Sequence, residues 1–286
     1  MKTKFDLTNT IYKPIIDMYI EKCKIALDTT LELENAIFPI YALLKGNKPE
    51  HIGSGVLINI NRRFFIFSAS HVFDSIGSYQ MLLGISKGRL LMPLAGDRLS
   101  TARGKSGTHK DDSLDASVYI IETELPTDVE RRALKINNLD ISENKCNSNI
   151  HVIAGYRIKK SYSIGNKSYG RAEAFPSIRL GFEHYKSLNL NKEVHIALAY
   201  EKFTLVNGNK QKTPKLVGLS GGGIFRVKET LIPGRNGIEK KLEPLLTAIT
   251  IQYEPELPNR EGAVVGTSIL LHLSLLKKDM PDLFND

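Results

Sequence analysis

A chain of 286 residues has room for one large domain or two modest ones, each with a full hydrophobic core. Its 42% hydrophobic and 24% charged residues are ordinary for a globular protein and exclude a low-complexity or fibrous chain. The net charge of +8 comes from 39 basic and 31 acidic residues, but the lysines gather in Lys159-Lys160, Lys210-Gln211-Lys212 and Lys240-Lys241, with no Trp anywhere and no interleaved aromatics. These stretches read as solvated loops, and a nucleic-acid face is not expected.

No window of about 18 apolar residues occurs, so no membrane-spanning helix is expected. The opening Met1-Lys2-Thr3-Lys4-Phe5-Asp6 runs into polar residues, so no secretory signal is expected. The two cysteines, Cys23 and Cys146, lie far apart without metal-ligand spacing. They read as reduced thiols of a cytoplasmic protein.

In chain order, Tyr12 to Glu34 reads as a helix. Ile15, Ile16, Tyr19, Ile20, Cys23, Leu27 and Leu31 recur at three- and four-residue spacing, and Pro14 suits the first turn. Such a helix would pack across the outside of the domain or bind a partner. From residue 36 the pattern becomes short Ile-, Val- and Phe-rich runs punctuated by Gly, Asn and Asp, the signature of strands in a sandwich or barrel. Runs at 36–44, 52–60 and 64–68 are followed by 81–85, 90–93, 117–121, 150–155, 194–199, 223–227, 245–252 and 263–270. Asp97 to Asp112 and Tyr156 to Arg171 read as long polar loops, and 123–145 as a polar connector. Leu271 to Lys278 reads as a closing helix.

Three segments carry chemistry. Ser68-Ala69-Ser70-His71-Val72 places a histidine just past a strongly apolar strand. Asp115-Ala116-Ser117-Val118 opens a strand with a carboxylate, while Asp111 and Asp112 read as solvated loop residues. Gly218-Leu219-Ser220-Gly221-Gly222-Gly223 sets one serine among glycines, which permit a tight turn and bring amide N–H groups close to a bound group. Each segment alone has an ordinary structural reading: a strand-end histidine, a turn-capping aspartate, a glycine-rich turn.

Together, and in this order, they resemble the chymotrypsin/trypsin-like serine proteases. Gly53-Ser54-Gly55-Val56 resembles that family's Gly-x-Gly-apolar strand, and Leu246 to Thr250 its cleft-lining strand, so the resemblance spans roughly Ile37 to Leu275. It implies an all-β fold of two antiparallel β-barrels, with an N-terminal helical extension at 1–35, a first barrel at 36–135, a second at 136–286, and a short C-terminal helix. It implies a catalytic triad of His71, Asp115 and Ser220, an oxyanion hole from the N–H groups of Gly218 and Ser220, and a substrate cleft at Thr250 and Gln252. The implied activity is endopeptidase cleavage of a specific protein substrate, with a regulatory protein partner possible and no metal, cofactor, membrane or nucleic acid required. The alternative is a catalytically inactive barrel serving as a protein-binding scaffold.

The chain departs from the secreted enzymes at two places. Val72 follows the histidine where they carry a cysteine, and Leu219 precedes the serine where they carry an aspartate. The missing cysteine agrees with a reducing compartment, and the missing aspartate argues against activation by a freed N-terminus pairing with it. The Leu- and Val-rich strands and the Asp115-Ala116-Ser117-Val118 segment resemble more the intracellular, stress-related (HtrA-like) branch, here without a PDZ-like domain. Thr213-Pro214-Lys215 offers no acidic group, so cleavage after Lys or Arg is not implied.

Overall fold

A computed structural model describes residues 13–46, 48–85, 90–141, 150–160, 162–164, 167–206, 209–234 and 237–284. Most of the apolar runs are strands, and the chain is mostly β, arranged as two large antiparallel sheets. The first half supplies β1 (Ile37–Leu44), β2 (Lys48–Ile60), β3 (Arg63–Ala69), β4 (Gln80–Ile85), β5 (Leu90–Pro93), β6 (Gly96–Ser100), β7 (Ala116–Ile121) and β8 (Leu134–Lys135). The second supplies β9 (Ile150–Tyr156), β10 (Tyr162–Ile164), β11 (Lys167–Tyr169), β12 (Ala172–Ile178), β13 (His195–Ala199), β14 (Phe203–Val206), β15 (Asn209–Lys212), β16 (Gly223–Gly234), β17 (Gly237–Glu254) and β18 (Ala263–Ser268).

The larger sheet runs β10-β11-β5-β4-β1-β2-β3-β7-β6, with β8 added in parallel to β2. The second runs β12-β9-β16-β17-β18-β13, and an isolated bridge from Arg179 to Leu198 links its two edges. β14 and β15 form a separate hairpin.

The polar stretches behave differently from their reading as loops. Gly96 to Ser100 is an edge strand of the larger sheet, and the basic stretch after Tyr156 contains the hairpin β10–β11, which joins β5 through Lys167 and Leu90. Edge strands face water on one side and tolerate polar residues, so apolar runs do not mark them. The hairpin also carries chain from beyond residue 136 into the sheet built by the first half.

One core bridges the two sheets. Ile37, Val56, Phe65 and Phe67 of the first pack with Val152, Phe225, Leu246 and Ile249 of the second, all fully buried. The C-terminal helix (Ile269–Asp279) closes this core with Ile269, Leu273 and Leu276, and Ser268 caps its start by accepting from the Leu270 N–H at 3.3 Å. Helix α1 (Lys13–Thr30) buries Cys23, Ala26 and Thr30, while Ile15, Tyr19, Ile20 and Leu31 of its expected apolar face stay exposed. Cys23 is a free buried thiol, and Cys146 lies outside the described residues. No helix among the described residues is long and apolar enough to cross a membrane.

Candidate active site

His71 sits in the first turn of the short helix α2 (Ser70–Asp74), which starts where β3 ends. β3 pairs with β7, and its last register pair, Ala69 with Ala116, brings Asp115 beside that turn. The Asp115 carboxylate accepts two hydrogen bonds from His71, one from the backbone N–H at 2.9 Å and one from ring Nδ1 at 2.5 Å. A carboxylate only accepts, so the proton of a neutral ring lies on Nδ1 and the Nε2 lone pair is bare. The ring is 35% exposed and the Asp115 side chain 7%, so the pair opens to solvent on the histidine side alone. Burial pushes the Asp115 carboxyl up from its ordinary range, and the His71 contacts pull against that shift.

Asp115 has φ of +44°, in the left-handed region that costs a non-glycine residue on the order of 1–3 kcal/mol. Three residues, Asp112, His195 and Thr267, hold it there. Asp112, expected to be solvated, instead accepts from the N–H groups of Leu114 and Asp115, both at 2.9 Å, and from Thr101 Oγ1 at 2.5 Å. From the second sheet, His195 Nε2 reaches the Ser113 carbonyl at 2.7 Å and Thr267 Oγ1 the Leu114 carbonyl at 2.5 Å. The Asp112 role was readable as an Asx-type turn, since a carboxylate two and three residues ahead can accept those amides. The two contacts from β13 and β18 leave no local trace in the sequence. Ser117, where the family resemblance expects alanine, joins a buried hydroxyl chain with Ser70 at 2.9 Å and with Ser100.

The serine loop lies between the sheets. The Ser54 N–H of β2 donates to the Ser220 carbonyl at 2.8 Å. A Cβ on Gly53 would stand 2.7 Å from Val72 Cγ1 and 3.1 Å from the Ser220 oxygen, so the histidine turn and the serine loop meet across a glycine with no room for a methyl. Gly218 and Gly221 have φ of +94° and +83°. A Cβ on Gly221 would fall 1.9 Å from the Ser54 oxygen.

Every carbonyl from Lys215 to Ser220 accepts a hydrogen bond. The donors, in order, are Arg157 Nη1 at 3.3 Å, the Leu219 N–H at 2.9 Å, the Ile158 N–H at 2.9 Å, Ser54 Oγ at 3.1 Å, the Gly222 N–H at 2.8 Å and the Ser54 N–H. By contrast, neither the Gly218 nor the Ser220 N–H donates to any acceptor among the described residues. Two amides on either side of Leu219 are left free while the carbonyls between and beside them are tied back. Leu219 itself is 1% exposed and packs with Ile153, Leu216, Ile224 and Ala248. Ser54 and Arg157 carry no local sequence signal as site residues, because their roles are contacts with a loop far away in sequence.

Ser220 Oγ makes one long hydrogen bond, 3.4 Å to the Ile251 carbonyl, and none to His71. Thr250 is buried and contributes through its backbone, accepting from the Gly221 N–H at 2.7 Å and donating to the Gly222 carbonyl at 2.8 Å. Gln252 is exposed, with its amide donating to Glu254. Beside the loop lies a cavity of about 550 Å³ walled by Pro214, Leu216, Val217, Tyr253 and Pro255, with Lys212 and Lys215 on its lining. Among the described residues no group of three or more His, Cys, Asp or Glu could hold a metal ion. No protein-family model matches the chain, and no curated protein matches its sequence.

Proposed function

We propose that the protein is a serine endopeptidase of the chymotrypsin/trypsin-like type, its two sheets corresponding to the two barrels of that fold. The observation that carries this reading is the pairing of Asp115 with His71 Nδ1, alongside a serine loop whose two amides flanking Leu219 have no acceptor among the described residues. In the proposed reaction Ser220 Oγ attacks a peptide carbonyl while His71 Nε2 takes its proton. The Gly218 and Ser220 N–H groups stabilise the oxyanion. Collapse of that intermediate breaks the C–N bond, and His71 returns the proton to the leaving amine. Water then attacks the acyl carbon with the same histidine as base, and the ester C–O bond breaks as His71 returns the proton to Ser220 Oγ. Asp115 holds the Nδ1–H tautomer and offsets the charge on the imidazolium. In this reading the substrate is a specific protein, its side chain entering the cavity beside Val217 and Tyr253, and the site of action is the cytoplasm, in keeping with the buried free thiol of Cys23.

One observation favours a second reading, an inactive barrel that binds protein. Ser220 Oγ points to the Ile251 carbonyl and not to the imidazole. Catalytic hydrogen bonds are commonly long without substrate, and rotation about one side-chain bond redirects a serine hydroxyl, so the enzymatic reading is preferred. Incubating a denatured-protein peptide library with wild-type protein and with Ser220→Ala, then sequencing new termini, tests it. New termini made by wild type alone support the peptidase; identical, unchanged peptide pools from both favour the scaffold.

A further inference from the structure

Arg157 is 7% exposed and follows β9 directly. Its guanidinium forks onto the Glu173 carboxylate of β12 through Nε and through Nη2, the latter at 2.6 Å. The remaining nitrogen, Nη1, donates to the Lys215 carbonyl at 3.3 Å. The next residue's N–H, that of Ile158, donates to the Val217 carbonyl at 2.9 Å. Two consecutive residues thus grip alternate carbonyls on the approach to Ser220.

The consequence falls on Gly218. In a trans peptide the C=O and the following N–H point in opposite directions. Holding the Val217 carbonyl toward Ile158 therefore turns the Gly218 N–H away from it, into the space where that amide has no acceptor among the described residues. The contact is tight: a Cβ on Gly218 would stand 2.7 Å from Ile158 N. No charge at position 219 can set this peptide, because a leucine is buried there.

We propose that Arg157, anchored by Glu173 and holding the Lys215 carbonyl, is the positioning residue that keeps this stretch of the loop against Ile158, whose N–H sets the oxyanion-hole peptide at Val217–Gly218. The proposal rests on the serine-peptidase reading for its catalytic consequence, but not for the geometry. An arginine suits the role because its planar fork holds a carboxylate with two nitrogens and still offers a third donor; a lysine has one charged centre and cannot span both partners. A second buried pair gives the contrast. Arg226 forks onto Asp140 in the same way, at 2.8 and 2.6 Å, but its third nitrogen, Nη1, has no hydrogen-bond partner among the described residues, the serine loop included.

The test compares Arg157→Lys and Glu173→Gln with Arg226→Lys as the control. Each is assayed for the amide resonance of Gly218 in ¹⁵N-labelled protein and for kcat and KM on a cleaved peptide. The expected result is a displaced Gly218 resonance in both site variants. In Arg157→Lys, kcat falls about 10²-fold with KM within about twofold, the loss typical of one misplaced oxyanion donor. Glu173→Gln falls in the same direction by less, and Arg226→Lys moves neither readout. Unchanged Gly218 resonance and kcat in a folded Arg157→Lys would overturn the proposal. If Arg157→Lys does not fold, Glu173→Gln decides by the same two readouts. If wild type cleaves nothing, the peptidase reading fails, while the Gly218 resonance still decides whether Arg157 sets that peptide.

Discussion

The two halves of the candidate site are built by different means. His71 and Asp115 meet through side chains: a carboxylate, a ring and a strained residue held at φ +44° by Asp112, His195 and Thr267. Ser220 is placed through its loop's backbone carbonyls, six in a row tied back, four by N–H groups and two by the side chains of Arg157 and Ser54, while the Gly218 and Ser220 amides have no acceptor among the described residues. The difference teaches where each half is vulnerable. The histidine–aspartate pair fails when its own side chains are altered, whereas the serine loop fails when its space is filled or when a distant donor to its carbonyls is changed.

The largest effect should come from the chemistry. Ser220→Ala or His71→Ala should lower kcat by about 10⁶-fold, with no further loss in the double variant, because the residues act as one unit. Asp115→Asn should cost about 10⁴-fold at unchanged fold, since an amide no longer enforces the Nδ1–H tautomer. Additive losses in the double variant would separate serine from histidine and break the comparison at its first half.

The serine half is best broken by volume. Gly221→Ala adds a methyl 1.9 Å from the Ser54 oxygen and 2.2 Å from Ser68 Oγ at a φ of +83°. Left-handed strain and overpacking together should lower stability by about 3 kcal/mol in denaturant melts. A loss under about 1 kcal/mol would show the loop to be looser than its hydrogen bonds imply.

Acid should weaken both halves through two buried histidines. Burial lowers His51 and His272 from the ordinary 6.5 to about 4. His272 faces the Ser68 and Ser268 carbonyls and stacks on Phe67, just before the His71 turn. His51 faces the Gly53 carbonyl beside the serine loop. Above pH 6.5 folded and unfolded chains are both neutral at these rings. Between 6.5 and about 4 the unfolded chain binds protons that the native state excludes, so stability falls with pH, by about 1.4 kcal/mol per unit for each histidine. Melting curves from pH 8 to 4 check this, and His272→Gln should flatten the decline.

The smallest effect sharpens how the halves are joined. Thr267→Val removes the hydroxyl that holds the Leu114 carbonyl and should cost about 1 kcal/mol, with a modest fall in kcat as Asp115 relaxes. A fall in kcat equal to that of Asp115→Asn would show that the second sheet governs the aspartate outright.

How much of this was legible in the sequence follows from the same contrast. The buried strands announce themselves as apolar runs, and Ser68 to Val72, Asp115 to Val118 and Gly218 to Gly222 are short enough to be recognised from local pattern. The polar edges β6 and β10–β11 are not, because segments this short and polar contain no apolar run in the sequence. The apolar stripe of α1 predicted a packing face, yet Cys23 and Ala26 are buried while Ile15 and Ile20 face solvent. Least visible are the ties on the serine loop. Ser54 bridges the Tyr156 N–H and the Gly218 carbonyl, and Arg157 reaches Lys215, across separations that no motif spans. Leu219 marked the need for such ties by removing the charge that could have replaced them.

The most direct measurement is the intact mass of the folded protein after treatment with a fluorophosphonate, with the adduct mapped by peptide sequencing. The account predicts a single adduct on Ser220 of the wild type, absent in Ser220→Ala and greatly slowed in His71→Ala. No adduct on folded wild type, or an adduct that persists in Ser220→Ala, would contradict it.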